Sequence, residues 1–83
     1  MNTIVARFRT NARAVRAYFE LELVAKPTLP ELNRDSPAYP WEMTITYSEA
    51  QQPLVLATVG RYGGVTFQEG DRGEGGIPAA HLP

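Results

Sequence analysis

Four arginines, Arg7, Arg9, Arg13 and Arg16, fall within ten residues near the start of the chain. A guanidinium group stays charged in proteins and binds carboxylates or phosphates through paired hydrogen bonds. Residues 1–26 carry a formal charge of +3 and the remaining residues carry −4, although the whole chain of 83 residues carries only −1. The arginine cluster is therefore the strongest candidate for a binding surface, and its ligand would be an anion.

Three interpretations of the arginine cluster stay open. The cluster is a solvated face that the chain's own acids neutralise, Glu20 and Glu22 among them, or it binds an acidic protein surface, or it binds nucleic acid. The slightly negative total charge disfavours nucleic acid, because nonspecific binding to phosphates depends on net positive charge. The solvated face is thus the first interpretation, an acidic protein surface is the second, and nucleic acid is the last.

The sequence offers few residues for catalysis. It has no cysteine, one histidine at His81, and serines only at Ser36 and Ser48. Nucleophilic catalysis needs a nucleophile beside a base, and a zinc site usually needs four nitrogen or sulfur ligands. The acids of residues 69–74 lack the spacing of a calcium loop. We therefore predict no catalytic residues, no metal site and no cofactor.

The clearest strand is predicted at residues 41–48, where apolar and polar side chains alternate. Residues 54–59 are apolar on both faces, which is typical of a central strand covered on two sides. Glycines in residues 60–64 favour a tight connection, and residues 65–68 form a short third strand. These segments predict a three-stranded antiparallel meander, with Trp41 buried on its inner face.

Residues 2–26 fit a β-hairpin. Residues 4–9 and 15–25 each place their apolar side chains on one face when they are extended. A turn at residues 10–13 would pair them in a register that sets Arg7 opposite Arg16. We favour this hairpin because one register satisfies every apolar side chain.

A helix is the alternative for the same segment. Residues 11–26 contain good helix formers and no glycine or proline, and they stop before Pro27. At helical spacing, however, Phe19 and Leu23 lie beside Arg16, away from the other apolar residues. Such a helix would expose two large apolar side chains.

The predicted fold is a small, mainly β single domain with an N-terminal hairpin, a Pro-rich crossover over residues 27–40 and the meander. The alternative is an α+β fold in the order β-α-β-β-β. Residues 1–69 form the globular domain, and residues 70–83 form a Gly-rich C-terminal arm. Ile77 and Leu82 are the apolar side chains through which this arm would dock onto a neighbouring subunit or partner.

Tyr39 and Trp41 stand where the Pro-rich crossover ends, and Trp, Tyr and Arg dominate the energetics of protein interfaces. The predicted partner contacts are Arg7, Arg9, Arg13, Arg16, Tyr39, Trp41, Ile77 and Leu82.

The sequence favours a non-enzymatic protein-protein interaction or assembly subunit, with a component of a virion or other large complex as one form of it. The alternative is a small soluble inhibitor, of the phage anti-defence type, which binds and blocks a larger protein machine. The first residues do not form a basic segment followed by an apolar run, and no apolar run is long enough to cross a membrane. We therefore expect a cytoplasmic protein, in the host cytoplasm or the virion if it is viral.

Overall fold

The computed structural model of this protein describes residues 1–68 and 77–78. Its elements in chain order are β1 (Asn2–Phe8), α1 (Asn11–Leu21), β2 (Lys26–Pro27), β3 (Glu31–Leu32), β4 (Trp41–Tyr47), a 3-10 turn (Glu49–Gln51), α2 (Gln52–Arg61), β5 (Val65–Gln68) and β6 (Ile77–Pro78). Among these residues, no helix is long and apolar enough to cross a membrane.

In the part of the chain that the structure describes, six strands form one antiparallel sheet in the order β2-β4-β1-β5-β6, and β3 also pairs with β4. Helix α1 connects β1 to β2, with β4 lying between those two strands. Helix α2 connects β4 to β5, with β1 lying between them. This connectivity is the split β-α-β arrangement. The mixed α+β alternative is confirmed.

One face of the sheet and both helices enclose the main core. Because successive side chains of a strand point to opposite faces, alternate residues of β1 and β4 reach this core. Its buried members are Ile4, Ala6, Phe8, Ala14, Ala17, Leu21, Met43, Ile45, Tyr47, Val55, Leu56 and Val59. Both helices therefore lie on the same face of the sheet.

The predicted N-terminal hairpin is wrong, because its second half is helix α1. Thr10 caps the helix from an extended backbone, and its hydroxyl accepts a hydrogen bond from the Arg13 backbone N–H at 3.2 Å. Ala14, Ala17 and Leu21 then form a narrow buried stripe. Two alanines and one leucine suffice for this contact, since the sheet beneath supplies the larger side chains.

As expected for a helix in this segment, α1 leaves two large apolar side chains exposed. Phe19 is 62% exposed and Leu23 is 84% exposed. The strand pattern would have buried both side chains. Helix propensity and the Thr10 cap outweigh the advantage of a strand that places all apolar side chains on one face.

The middle strand of the predicted meander is also wrong, because residues 54–59 belong to helix α2. A short run that is apolar on both sides fits a buried helix as well as a buried strand. Pro53 stands in the first turn of α2, where proline is favoured. The strands predicted at residues 41–48 and 65–68 are confirmed as β4 and β5.

Helix α2 ends in a glycine turn, which the sequence placed correctly. Gly63 has a φ of 71° and donates its N–H to the Gly60 carbonyl at 3.0 Å, while Gly64 donates to the Val59 carbonyl at 2.9 Å. These two bonds form a Schellman motif. A Cβ on Gly64 would lie 2.7 Å from the Phe8 ring, so the missing side chain lets β1 and the end of α2 meet.

Trp41 packs against the main core from the start of β4 and is partly buried there, on the face of the sheet that Met43, Ile45 and Tyr47 also occupy. At the other edge of the sheet, the backbone of Ile77 pairs with Thr66 of the same chain. Leu82 and the rest of the predicted arm lie outside the described residues. Docking of Ile77 and Leu82 onto a partner stays a prediction.

Gly64→Ala should lower the free energy of unfolding by about 1 to 3 kcal/mol, because the new methyl group would overlap the Phe8 ring and the Val59 side chain. Denaturant unfolding followed by tryptophan fluorescence measures this loss. Gly60→Ala is the matched control inside α2, where alanine favours helix and should leave stability equal or higher. Equal stability of wild type and Gly64→Ala would contradict the close contact.

Candidate functional site

A cleft of about 400 Å³ lies between the beginning of α1 and the end of α2. It is lined by Thr10, Ala12, Arg13, Arg16, Arg61 and Tyr62. Because Thr10 follows shortly after β1 and Tyr62 shortly precedes β5, two adjacent central strands hold the walls of the cleft in place. The cleft thus brings together three arginines from two helices.

Arg13 and Arg16 stand on the exposed side of α1. Within residues 1–68 and 77–78, the ion pairs join Arg7 to Glu42 and Arg61 to Glu20, so neither Arg13 nor Arg16 has a carboxylate partner there. The first turn of α1 also contains no acidic residue. Since the N-terminus of a helix carries a partial positive charge, this wall of the cleft favours an anion.

Glu20 ties the two walls of the cleft together. One carboxylate oxygen accepts a hydrogen bond from Arg61 Nη1, and the other accepts from the Tyr62 hydroxyl. The hydrogen bond to the Glu20 carboxylate is the main reason why the pKa of Tyr62 is raised above its ordinary value of 10.0, and partial burial is the second reason. Glu20 therefore holds Arg61 and Tyr62 at the cleft while neutralising part of the charge of Arg61.

Arg13 also has a structural role. Its Nη1 atom lies 2.8 Å from the position that a Cβ on Gly63 would occupy, so the guanidinium group rests on the turn that ends α2. The C-terminus of a helix carries a partial negative charge, which a nearby guanidinium group stabilises. This contact supports the interpretation of Arg13 as part of a solvated structural face.

Arg7 lies away from the cleft, on the other face of the sheet, and only 8% of its surface is exposed. Its Nε donates to Glu42 Oε2 at 2.8 Å, and Asn33 Nδ2 donates to the same oxygen at 3.1 Å. The guanidinium group also stands 4.5 Å from the centre of the Phe67 ring. The expected pairing of Arg7 with Arg16 is wrong, because β1 pairs with two other strands.

Arg9 and Tyr39 form a second pair on that face. Arg9 Nη2 donates to the Tyr39 hydroxyl at 3.2 Å, and the guanidinium carbon lies 5.2 Å from the centre of the ring. Tyr39 in turn packs against a small cluster of Val5, Val65 and Phe67. The Pro-rich segment is thereby attached to the sheet through Tyr39.

The predicted partner contacts therefore do not share one surface. The structure brings Arg13 and Arg16 together in the cleft, places Arg7, Arg9 and Tyr39 on the opposite face of the sheet, and sets Trp41 against the main core. Their roles in partner binding stay predictions.

Sequence reasoning missed three residues of this region, Glu20, Arg61 and Tyr62, as parts of a site. Arg61 and Tyr62 follow the apolar run of residues 54–59, which resembled a strand. Only the assignment of that run to a helix would have placed Arg61 and Tyr62 near α1. Their pairing with Glu20 joins residues about forty positions apart. No local spacing in the sequence indicates it.

Among residues 1–68 and 77–78, no three His, Cys, Asp or Glu side chains stand close enough together to hold a metal ion. No protein-family model, curated protein or solved structure matches this chain. Its function is therefore inferred from the geometry and charge of its own side chains.

The buried pair of Arg7 and Glu42 should be strongly coupled. Glu42→Leu leaves a buried guanidinium group without its carboxylate and should cost about 2 to 4 kcal/mol, whereas the double variant with Arg7→Met should cost less than the sum of the two single variants. Denaturant unfolding of all four proteins completes the cycle. Arg61→Gln, which breaks the exposed pair, should cost less than about 1 kcal/mol. Additive losses for Arg7 and Glu42 would contradict their coupling.

Glu20→Gln should lower the pKa of Tyr62 toward 10.0, because it removes the carboxylate that disfavours the tyrosinate. A group whose pKa is raised by folding stabilises the fold below its unfolded pKa and loses that effect as the pH rises through its folded pKa. Wild type should therefore lose stability more steeply than the variant above about pH 10. Alkaline titration by NMR of labelled tyrosine measures the pKa.

Glu22→Gln is the matched control for this titration, since Glu22 raises the pKa of Tyr18 and not that of Tyr62. It should lower the pKa of Tyr18 and leave Tyr62 as in wild type. An unchanged Tyr62 titration in Glu20→Gln would show that the link between the helices does not form in solution.

Proposed function

We propose that this protein is a non-enzymatic protein-protein interaction or assembly subunit that binds an acidic segment of its partner in the arginine-lined cleft. The observation that carries the proposal is the pair of exposed guanidinium groups on Arg13 and Arg16, which have no carboxylate partner among residues 1–68 and 77–78. Arg61 adds a third guanidinium group to the same cleft. Carboxylates of a partner would pair with Arg13 and Arg16, while Arg61 adds the part of its charge that Glu20 leaves.

An acidic protein suits the chain better than nucleic acid does. The formal net charge is −1, so the positive region is local and the rest of the surface repels a long polyanion. A short acidic segment reaches the cleft without meeting that surface. Complementary charges of this kind guide encounter and set specificity, and binding should weaken as salt is added.

The small free energy of each ion pair limits the affinity that charge alone can give. An exposed guanidinium-carboxylate pair contributes about 0.2 to 1 kcal/mol. Three such pairs supply at most about 3 kcal/mol, whereas a dissociation constant of about 1 mM already corresponds to about 4 kcal/mol. The partner therefore needs contacts beyond the three arginines.

A cytoplasmic location, in which such a partner would be met, stays part of the proposal.

Titration of ¹⁵N-labelled protein with an oligoglutamate peptide at low salt tests the proposal. Amide signals of residues 10–16 and 61–63 should shift most, because they surround the cleft. The double variant Arg13→Gln and Arg16→Gln should bind about two to thirty times more weakly, which corresponds to two lost ion pairs. Arg34→Gln removes an exposed arginine of the Pro-rich segment and is the control that should bind as wild type does.

Two outcomes would contradict the proposed function. One is that oligoglutamate leaves the signals around the cleft unchanged, or binds the double variant and wild type equally. The other is that a single-stranded oligonucleotide of equal charge binds at the cleft more tightly than the peptide, which would make nucleic acid the partner.

A further inference from the structure

The outer side of α1 carries a stripe of one arginine and three apolar residues that the main core does not use. Ala12, Arg16, Phe19 and Leu23 follow one another at intervals of four, three and four residues, which places them on one side of a helix. Leu23 lies just beyond the end of α1, where its N–H still bonds to the Glu20 carbonyl at 3.2 Å. The helical turn thus continues far enough to keep Leu23 close to this line.

This stripe begins inside the cleft. Ala12 and Arg16 line the cleft itself, and Phe19 stands one turn further along the helix. Side chains three or four residues apart on a helix are direct neighbours. With a rise of about 1.5 Å per residue, Leu23 lies about 10 Å beyond Arg16 along the helix axis. Positive charge and apolar surface are therefore continuous on this side of the molecule.

The composition of the stripe is that of an interface. Single exposed apolar residues are ordinary, but Phe19 and Leu23 are 62% and 84% exposed, next to an arginine without a carboxylate partner among the described residues. The Phe19 ring stands edge-on to Tyr18, with centroids 5.6 Å apart, which restricts its orientation. Aromatic side chains and arginine are both enriched in protein interfaces.

We infer that the cleft and the stripe form one docking surface for a protein segment with carboxylates at one end and apolar side chains about 10 Å further along. This inference rests on the proposed function and names the chemistry of its partner. The three arginines select the acidic end by charge complementarity. Phe19 and Leu23 supply apolar contacts, which add the binding free energy that the ion pairs alone do not provide.

The spacing of the surface defines a probe. An extended peptide advances about 3.3 Å per residue, so side chains on one of its sides recur about every 6 to 7 Å. A peptide with a tetraglutamate block followed by serine, leucine, serine and leucine presents carboxylates to the cleft and two leucines to the stripe. The matched peptide replaces both leucines with serine and keeps the charge.

Wild-type protein should bind the leucine-containing peptide about five times or more tightly than the serine peptide, as expected when a leucine side chain is partly removed from water. The double variant Phe19→Gln and Leu23→Gln should lose this preference and bind both peptides equally. Both positions are exposed, and glutamine is a good helix former, so the fold should be retained. Isothermal titration or NMR measures the dissociation constants.

Leu29→Gln is the matched control, because Leu29 is 67% exposed but lies between β2 and β3 and not on α1. It should keep the preference for leucine. The serine peptide provides a second control: it should bind the double variant as it binds wild type, which shows that the variant is folded and its cleft intact.

The outcomes separate the two proposals. If both peptides bind wild type equally through Arg13 and Arg16, the docking surface is overturned and the acidic-partner function stands. If neither peptide binds, both fail. Binding to vesicles of phosphatidylserine and phosphatidylcholine that requires Phe19 and Leu23, without a preference between the peptides, would assign the stripe to a lipid surface and overturn the inference. Self-association of wild type that Phe19→Gln abolishes would assign it to a second copy of the chain and overturn it equally.

Discussion

The close contact between Phe8 and Gly64 determines where the candidate site forms. Phe8 is the last residue of β1, and α1 begins three residues later. Gly64 stands three residues after the end of α2, and only a residue without a side chain lets the Phe8 ring approach it this closely. The end of α2 is therefore fixed beside the beginning of α1. Arg61 and Tyr62 stand opposite Arg13 and Arg16 for that reason, and the cleft follows from core packing.

Backbone geometry divides the four arginines that the sequence places together. On β1, Arg7 points away from the helices, where Glu42 and Phe67 enclose it. Arg13 and Arg16 are three residues apart on α1 and share one side of it. The dense arginine cluster of the sequence is thus divided: one face of the sheet has the buried Arg7 and the exposed Arg9, which bonds to Tyr39, and the other face has the exposed pair.

The sequence predicted what depends on local pattern and missed what depends on long-range packing. Alternation and glycine placement identified β4, β5 and the turn at Gly63. The run at residues 54–59 has no period that separates a strand from a helix, and its identity depends on packing against β1 and β5. For the residues of α1, the alternation of apolar and polar side chains favoured a strand instead of a helix. The sequence alone does not show that the alanines of a helix would pack against a sheet that supplies larger side chains. The link from Glu20 to Arg61 and Tyr62 required both helices to be known.

Folding accounts for some residues around the cleft and leaves others unexplained, and this difference is the best guide to function. Arg13 rests on the turn that ends α2, Arg61 pairs with Glu20, and Tyr62 bonds to the same carboxylate. Each of these contacts favours the folded chain. Arg16, Phe19 and Leu23 have no comparable role, since the structure leaves Arg16 without a carboxylate partner among the described residues and exposes both apolar side chains. Because Arg16 and Phe19 lie on one side of α1 and Leu23 continues this line just beyond its end, a single partner segment that touches one of them can reach all three.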